Sequence, residues 1–249
     1  MNKISVIIPI LNEAETIEKL LNYLFENTSK KTSLEIIIVD GGSTDGSIKI
    51  IELFMSGRAQ SSPTSDLSTA FEETRIKLIN SEKGRAKQMN LGAKQATGNI
   101  LYFLHADSFP PKNFDKLITA EIEKGNNAGC FIMKFDSNHW WLKLAGFLTK
   151  LPWKICRGGD QSLFVSKSLF NTIGGFDETF AVYEDNDFIS KLYSKNQFVV
   201  IQKWLTTSAR RYKTNGIWTL QYHFLVIHFK KWFGASSEKL NSYYKKRIK

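Results

Sequence analysis

The sequence is poor in cysteine. Only Cys130 and Cys156 occur, and their separation matches neither a metal-binding nor a redox motif. Two such thiols argue against a disulfide framework and are typical of a protein from a reducing cytosol. We therefore expect both to be small buried apolar residues and the protein to be cytoplasmic.

The sequence also lacks an apolar run long enough to span a bilayer. The longest stretch near the C-terminus, residues 218–229, contains a glutamine and two histidines and falls short of the roughly 20 residues that a transmembrane helix needs. The first apolar segment, residues 4–11, is followed by Asn12 and Glu13 and has no small-residue cleavage site. It predicts a strand rather than a signal peptide.

Acidic residues are scarce relative to basic ones, 24 against 34, which gives a net charge of +10. Basic side chains are dense near the C-terminal end, at Lys230, Lys231, Lys239, Lys245, Lys246, Arg247 and Lys249. A surface of this charge attracts anionic lipid, nucleic acid or phosphorylated substrates. Because no nucleic-acid-binding signature accompanies it, we exclude nucleic acid and retain an anionic membrane as a candidate partner.

Helical spacing places five apolar residues on one face of a C-terminal helix, namely Trp218, Tyr222, Leu225, Phe229 and Trp232. Two interpretations remain open at this point. The stripe packs on the core, as most aromatic stripes do, or it lies at a lipid surface with the nearby lysines among the headgroups.

The segment EIIIVDGGSTDGS, residues 35–47, is the most informative stretch of the chain. Its β-branched run, residues 36–39, is typical of a buried strand of a parallel sheet, and Asp40 follows at the carboxyl end. Gly41 and Gly42 allow a sharp turn and a close approach to a ligand, and residues 43–45 can cap a helix. The pattern predicts either a nucleotide pocket or a tight turn without a ligand.

Strand and helix patterns alternate from residue 5 to residue 124, which predicts a parallel sheet with right-handed crossovers. We expect an α/β fold with a mostly parallel central sheet flanked by helices and a C-terminal helical segment. A single domain, 1–249, would comprise a first part (1–135), a second part (136–212) and C-terminal amphipathic helices (213–249). Residues 56–74, rich in Ser and Thr, are predicted to form a mobile surface insertion.

Polar residues stand at the ends of several of these elements. Asn12 and Glu15 resemble a capping box opening a helix that runs to about residue 25. The loop at residues 83–87 is positive and precedes a helix, which suits an anion. Short strands are expected at residues 198–201 and 206–208. Because carboxyl ends of parallel strands share one edge, Asp40, Asp107 and Asp185 should meet there and could hold Mg²⁺ or Mn²⁺.

Eight segments together carry a family resemblance: SVIIPILNE, VDGGSTDGS, KGRAKQMNLGA, FLHADS, GGDQSLFV, GGFDE, YEDNDF and SARRY. In this order they resemble family 2 glycosyltransferases of the GT-A fold, and most closely the radical-SAM/selenodomain-associated transferase 2 subgroup. The resemblance implies an inverting transfer of a sugar from a nucleoside diphosphate sugar, UDP-linked in our expectation, to an acceptor hydroxyl or carboxyl.

The resemblance also implies that residues 1–135 form the nucleotide-sugar-binding half and residues 136–212 the acceptor and catalytic half. It implies residue roles as well. The nucleotide sugar would contact Pro9, Asn12, Glu13, Asp40, Gly42, Lys83, Arg85, Gln88 and Asp107. The phosphates or the acceptor would contact Asp160, Gln161, Glu184, Arg210 and Arg211. Asp107 matches the last acid of the DxD element and would coordinate Mg²⁺ or Mn²⁺, while Asp185 matches the general base that deprotonates the acceptor. The acceptor is expected to be small or lipid-linked, with the protein at the inner face of the cell membrane in the second case.

Two departures from the family pattern matter. His105 stands where many members have the first Asp of DxD, and the QxxRW element of processive members is absent, which argues against a polysaccharide synthase. Two other functions were weighed. A sugar-phosphate nucleotidyltransferase would carry a glycine-rich basic loop where this chain has PILNE. A non-catalytic nucleotide- or lipid-binding protein has no need to keep Asp40, Asp107 and Asp185 together.

Overall fold

The computed structural model describes residues 2–29, 34–59, 75–158, 161–195 and 197–248. Most of the predicted Ser/Thr-rich insertion lies outside the described residues. Within them, eight strands form one sheet in the order β3-β2-β1-β4-β7-β6-β8-β5. The strands are β1 (Ile4–Ile10), β2 (Leu34–Asp40), β3 (Arg75–Asn80), β4 (Ile100–Phe103), β5 (Ser108–Phe109), β6 (Ala128–Phe135), β7 (Leu163–Ser166) and β8 (Phe198–Thr207).

Helices cover both faces of the sheet and continue beyond it. In chain order they are α1 (Ile17–Asn27), α2 (Ser47–Ala59), α3 (Arg85–Gln95), α4 (Phe114–Glu123), α5 (Trp140–Leu148), α6 (Lys167–Ile173), α7 (Glu184–Tyr193), α8 (Arg210–Asn215), α9 (Ile217–Trp232) and α10 (Ser237–Arg247). A single 3₁₀ turn, Lys154–Cys156, follows α5. The alternation of strand and helix predicted for the first half is confirmed.

The first half of the sheet is parallel, with β1 between β2 and β4 and with β3 outside β2. Every residue of β1 and β2 is buried, as expected for β-branched strands covered on both faces. Ile10 is paired with Asp40, and Asp40 with Asn80, so the carboxyl ends of three strands are level. This register brings the loops after β1 and β2 together at one edge.

The second half of the sheet is mixed. β7 is antiparallel to both β4 and β6, whereas β6 and β8 are parallel. The prediction of two short strands at 198–201 and 206–208 is wrong, because one continuous strand, β8, occupies residues 198–207. The pairing with β6 is irregular between Phe131 and Ile132, and Gln202 and Lys203 are accommodated there as extra residues. A bulge of this kind interrupts the alternating pattern on which strand prediction depends.

Apolar side chains fill both faces of the sheet. Ile8 and Ile36 belong to the core on one face, and Ile7 and Ile37 to the core on the other, as the two-residue period of a strand requires. A third cluster joins the end of β6 to the C-terminal helices through Phe135, Leu142, Tyr212, Leu220, Ile227 and Leu240. The C-terminal helices are therefore packed against the rest of the molecule.

The aromatic stripe on α9 faces outward. Leu220 and Ile227, on its opposite face, are fully buried. The stripe residues Trp218, Tyr222, Leu225, Phe229 and Trp232 are all more than half exposed. The interpretation of the stripe as a core-packing face is therefore wrong. Among the described residues, no helix is long and apolar enough to cross a membrane.

Candidate active site at the carboxyl edge of the sheet

Gln88 ties the ends of β1 and β2 together. Its side-chain amide donates to the carbonyls of Ile10 and Val39, both at 2.8 Å, and the residue is buried. The side chain lies so close to Gly41 that a Cβ added there would be 3.0 Å from it. These bonds give Gln88 a structural role at the strand ends, beneath the turn that begins at Gly41.

The loops after β1 and β2 hold one another. Asn12 donates from its backbone to the Ser43 hydroxyl at 2.9 Å, and its side-chain oxygen accepts from the backbone of Thr44 at 2.8 Å. Asn12 has a left-handed φ of 58°, and α1 begins only at Ile17. The predicted capping box at Asn12 and Glu15 is therefore wrong, because the Asn12 side chain is bound to the neighbouring loop instead of to a helix.

Asp40 shapes the turn after β2. Its carboxylate accepts hydrogen bonds from the backbone of Gly42 at 2.8 Å and of Ser43 at 3.0 Å, and the residue is 2% exposed. Gly42 adopts a φ of 94°, which favours glycine over any side chain. The predicted contact of Asp40 with the nucleotide sugar stays a prediction.

Glu13, Arg210 and Asp107 form one charged group. The Arg210 guanidinium makes a two-point contact with the Glu13 carboxylate, at 2.8 and 3.0 Å, and lies 3.7 Å from an oxygen of Asp107. These hydrogen bonds to Glu13 raise the pKa of Arg210 above its ordinary value, so the guanidinium carries its positive charge at every working pH. The structure thus brings three predicted site residues together.

A second charged group lies at the start of α7. The Glu184 carboxylate is fully buried and pairs with Arg85 at 2.6 Å, while the nearest oxygen of Asp185 lies 3.9 Å from the same guanidinium. Burial raises the pKa of Glu184, and the Arg85 charge opposes that rise. Acidic residues in a first helical turn are also favoured by the helix dipole. Arg85 thus holds the segment that presents Asp185.

A narrow crevice lies beside Asp185. Pro9, His105 and Asp185 all line it, and its volume is only about 10 Å³. Pro9 belongs to β1 and His105 follows β4, so the crevice lies at the carboxyl edge of the sheet. Asp40, Asp107 and Asp185 were predicted to share one sheet edge, and the strand ends and the crevice place them there.

Two predicted contact residues lie elsewhere. Arg211 donates to the Tyr244 hydroxyl and stacks over Phe224, within the C-terminal helices, and its predicted contact with substrate stays a prediction. Successive residues on a helix point about 100° apart, and only Arg210 can face the edge. Gln161 is 1% exposed and accepts from the Gly158 backbone at 3.1 Å, and its predicted contact with acceptor or phosphate stays a prediction too.

Asp160 lies outside the described residues, and Lys83 is exposed in the loop before α3.

Asn90 is a residue to which the sequence alone assigned no role. Its side chain accepts from the backbone of Phe176 at 3.0 Å, donates to the Phe176 carbonyl at 2.9 Å and donates to Glu178 at 2.8 Å. A Cβ at Gly175 would lie 2.8 Å from the Asn90 oxygen. Asn90 therefore anchors the GGFDE segment that leads to Asp185. Its position inside the KGRAKQMNLGA motif was the available signal.

Comparison with known proteins agrees with this geometry. A family model for glycosyl transferase family 2 matches residues 5–188. Glycosyltransferase AglE of Haloferax volcanii is 36% identical over 107 residues, 43% of this chain and 31% of the relative. A Methanococcus voltae dolichyl N-acetyl-alpha-D-glucosaminyl phosphate glucuronosyltransferase is 28% identical over 206 residues, 76% of this chain and 59% of the relative. The chain thus spans less than two thirds of each of these relatives, about a third of the first and 59% of the second.

Solved structures share the fold. Staphylococcus aureus TarS 1-349 in complex with UDP has a TM-score of 0.63 at 22% identity, covering 83% of this chain and 60% of that one. The mannosyltransferase PcManGT of Pyrobaculum calidifontis, in complex with GDP-Man and Mn²⁺, also has a TM-score of 0.63, at 20% identity, covering 93% of this chain and 64% of that one. The predicted GT-A fold is confirmed.

Proposed function

The chain belongs to glycosyl transferase family 2, and from this we propose that it transfers a sugar from a nucleoside diphosphate sugar to an acceptor hydroxyl or carboxyl. The observation that carries the proposal is that Asp185, His105 and Pro9 line one crevice. Asp107, two residues after His105, lies 3.7 Å from Arg210. A carboxylate, a metal-binding acid and a fixed guanidinium are the groups that such a transfer requires.

Asp185 acts as the general base in this proposal. An acceptor hydroxyl oxygen attacks the anomeric carbon, its proton passes to the Asp185 carboxylate, and the bond from that carbon to the diphosphate oxygen breaks. The nucleoside diphosphate leaves with the bonding electrons, and a single displacement inverts the configuration. Positioned proton transfer typically contributes ~10²–10⁴ in rate. Arg85 and buried Glu184 hold the turn that aims Asp185.

The donor diphosphate lies against Arg210 in this account. Its guanidinium can exchange a carboxylate contact for phosphate oxygens because both acceptors suit the same two-point geometry. Pro9, Asn12, Glu13, Asp40 and Gly42 form the adjoining loop surface and are proposed to receive the nucleoside. UDP is our proposed nucleotide, supported by the UDP complex of the TarS structure.

A divalent metal fits the residues present. Among the described residues no three acidic, His or Cys side chains come together as a metal cluster, but Mg²⁺ is often held by one or two carboxylates and substrate phosphates. Asp107 would supply the carboxylate, an oxygen ligand of the kind that Mg²⁺ and Mn²⁺ prefer, and His105 lies two residues before it. When bound, the metal would neutralise charge on the leaving diphosphate.

The acceptor is proposed to be small or lipid-linked, and the site of action cytoplasmic, at the inner face of an anionic membrane when the acceptor is a lipid. The lipid alternative is supported by the exposed aromatic stripe of α9 and the lysines that follow it. One relative, the Methanococcus voltae enzyme, has a dolichyl-phosphate-linked sugar in its name.

Titration calorimetry tests the proposal. UDP-, GDP- and dTDP-sugars are titrated into the purified protein with Mn²⁺ and then with EDTA. We expect one nucleotide class to bind, and to bind more weakly in EDTA. No heat with any donor, from a protein that shows a cooperative thermal transition, would contradict the proposed function.

A further inference from the structure

Large exposed apolar residues are concentrated in two segments of the molecule. Among the described residues, all of them except Leu53 lie within residues 140–155 or 204–233. On α5 and just after it they are Trp140, Leu144, Phe147, Leu148, Trp153 and Ile155, and on and after α9 they are Trp218, Tyr222, Leu225, Phe229, Trp232 and Phe233. We call these twelve residues the aromatic face. Contiguous exposed apolar surface of this kind marks an interaction site.

The two parts of the aromatic face are in contact. The Trp218 ring lies 5.2 Å from that of Trp141 and 6.0 Å from that of Trp140, which joins α9 to the start of α5. At the other end of α5, the Lys150 ammonium lies over Phe147 at 4.9 Å and over Trp204 of β8 at 5.2 Å. Aromatic rings and lysine side chains therefore share one surface.

The surface carries charge of one sign. Residues 137–159 and 188–237 contain no Asp or Glu. The same segments contain Lys143, Lys150, Lys154, Lys203, Lys213, Lys230 and Lys231. A face meant for a second copy of this chain would bring these lysines against one another, which electrostatic repulsion opposes. The positive charge of these lysines favours an anionic partner.

An open cleft of about 460 Å³ lies at the end of α9. Phe229, Phe233 and Ala235 supply apolar walls, and Lys230 and Lys239 line the same cleft. Apolar walls with lysines among them match a phospholipid, which has acyl chains below an anionic phosphate. Tryptophan and tyrosine are likewise enriched where a protein meets the headgroup region of a bilayer.

We propose that the aromatic face docks the protein on an anionic lipid bilayer, with its rings in the headgroup region and its lysines on lipid phosphates. The bilayer contact does not depend on sugar transfer. Each lysine near such a surface is attracted to anionic headgroups, and the rings add an apolar contribution that salt does not screen.

Docking of the aromatic face on a bilayer would fix the orientation of the candidate active site relative to the membrane. Tyr183, which directly precedes Glu184 and Asp185, lies 5.2 Å from His228 of α9 ring to ring. On the other side, α9 follows directly on α8, whose first residue is Arg210. The helix that meets the bilayer is therefore packed against the segment that holds the proposed base. A lipid-linked acceptor would reach Asp185 from the membrane.

Vesicle sedimentation tests the inference. Purified protein is mixed with vesicles of phosphatidylcholine alone or with added phosphatidylglycerol. We expect sedimentation with the anionic vesicles and at least tenfold weaker binding to the neutral ones. In the double variant Tyr222→Glu, Trp232→Glu, we expect binding to anionic vesicles to fall about tenfold or more. The matched control is Leu53→Glu, an exposed apolar residue on α2, which should bind like the wild type.

Equal soluble recovery with both vesicle types would overturn the inference, as would an equal loss in the Leu53→Glu control. Light scattering after size exclusion is measured on the same samples. A stable dimer that the double variant converts to monomer would assign the face to a second copy and also overturn it. Donor titration of the double variant keeps the two proposals separate, since nucleotide binding should be unchanged whether or not vesicles are bound.

Discussion

Arg210 and Glu13 form a two-point ion pair across the carboxyl edge of the sheet, with nitrogen to oxygen distances of 2.8 and 3.0 Å. The contact joins the first residue of α8 to the loop after β1, near the other end of the chain. With Asp107 only 3.7 Å away, the guanidinium lies between two carboxylates. A diphosphate that enters here meets a cation already fixed in place.

Arg210→Lys tests this arrangement. Lysine keeps the charge but loses the planar fork that makes a two-point contact. We expect the Kd for the donor, measured by calorimetry, to rise about tenfold, since a hydrogen bond to a charged group contributes ~1.5–3 kcal/mol. Lys213→Ala, on the same helix and exposed, is the control. An unchanged Kd in Arg210→Lys would remove Arg210 from the donor site.

Asp107→Asn separates metal-dependent from metal-independent binding. The amide is a poorer ligand than the carboxylate for a hard cation. We expect donor affinity in Mn²⁺ to fall about tenfold, or ~1.4 kcal/mol, and affinity in EDTA to stay unchanged. Equal losses in both buffers would show that Asp107 acts on the donor without a metal.

Asn90→Ala removes the anchor of the GGFDE segment. Two backbone groups of Phe176 lose their partner, so we expect the free energy of unfolding to fall by about 1–3 kcal/mol. Donor turnover should fall while donor Kd changes little, because Asp185 is misplaced and the loops after β1 and β2 are not. Lys94→Ala, exposed on the same helix, serves as the control. A loss of donor affinity equal to the loss of turnover would contradict this role.

Glu35 gives the fold a predicted pH dependence. Burial alone would raise its pKa, but hydrogen bonds from Lys77, Thr97 and Ser5 outweigh that effect and lower the pKa from 4.5 to about 2. The unfolded chain therefore binds this proton more readily than the folded one. The stabilisation is present above pH 4.5 and is lost as the pH falls towards 2.

Urea unfolding of the wild type and Glu35→Gln between pH 6 and pH 2.5 measures this contribution. We expect the wild type to be about 2 kcal/mol more stable at pH 6 and the difference to shrink as the pH falls. A difference that is constant with pH would show that the loss comes from the hydrogen bonds and not from the charge.

Much of the carboxyl edge of the sheet, where the candidate site lies, could be predicted from local sequence patterns. β-branched runs predicted buried strands, and strand ends of a parallel sheet must meet, so Asp40 and Asp107 could be placed without coordinates. The direction of a side chain was harder to predict. Arg210 and Arg211 are adjacent and chemically alike, and only the angle between neighbouring helical residues decides which one faces the edge.

Partners distant in sequence were the other source of error. Asn12 has the composition of a helix cap, but Ser43 and Thr44 of the next loop take its hydrogen bonds. Each of these bonds forms only once the sheet has brought two loops together, and local pattern carries no information about it.

The most direct test of the account compares Asp185→Asn with Asp187→Asn. Both replace an acid in the first turn of α7, but Asp187 is paired with Lys191 at 2.7 Å. Nucleoside diphosphate release from the donor identified by calorimetry is measured for each variant, together with the donor Kd. We predict that Asp185→Asn keeps its Kd within about threefold and loses ~10²–10⁴ in turnover, while Asp187→Asn stays close to the wild type. Turnover that survives in Asp185→Asn would contradict the assignment of Asp185 as the base.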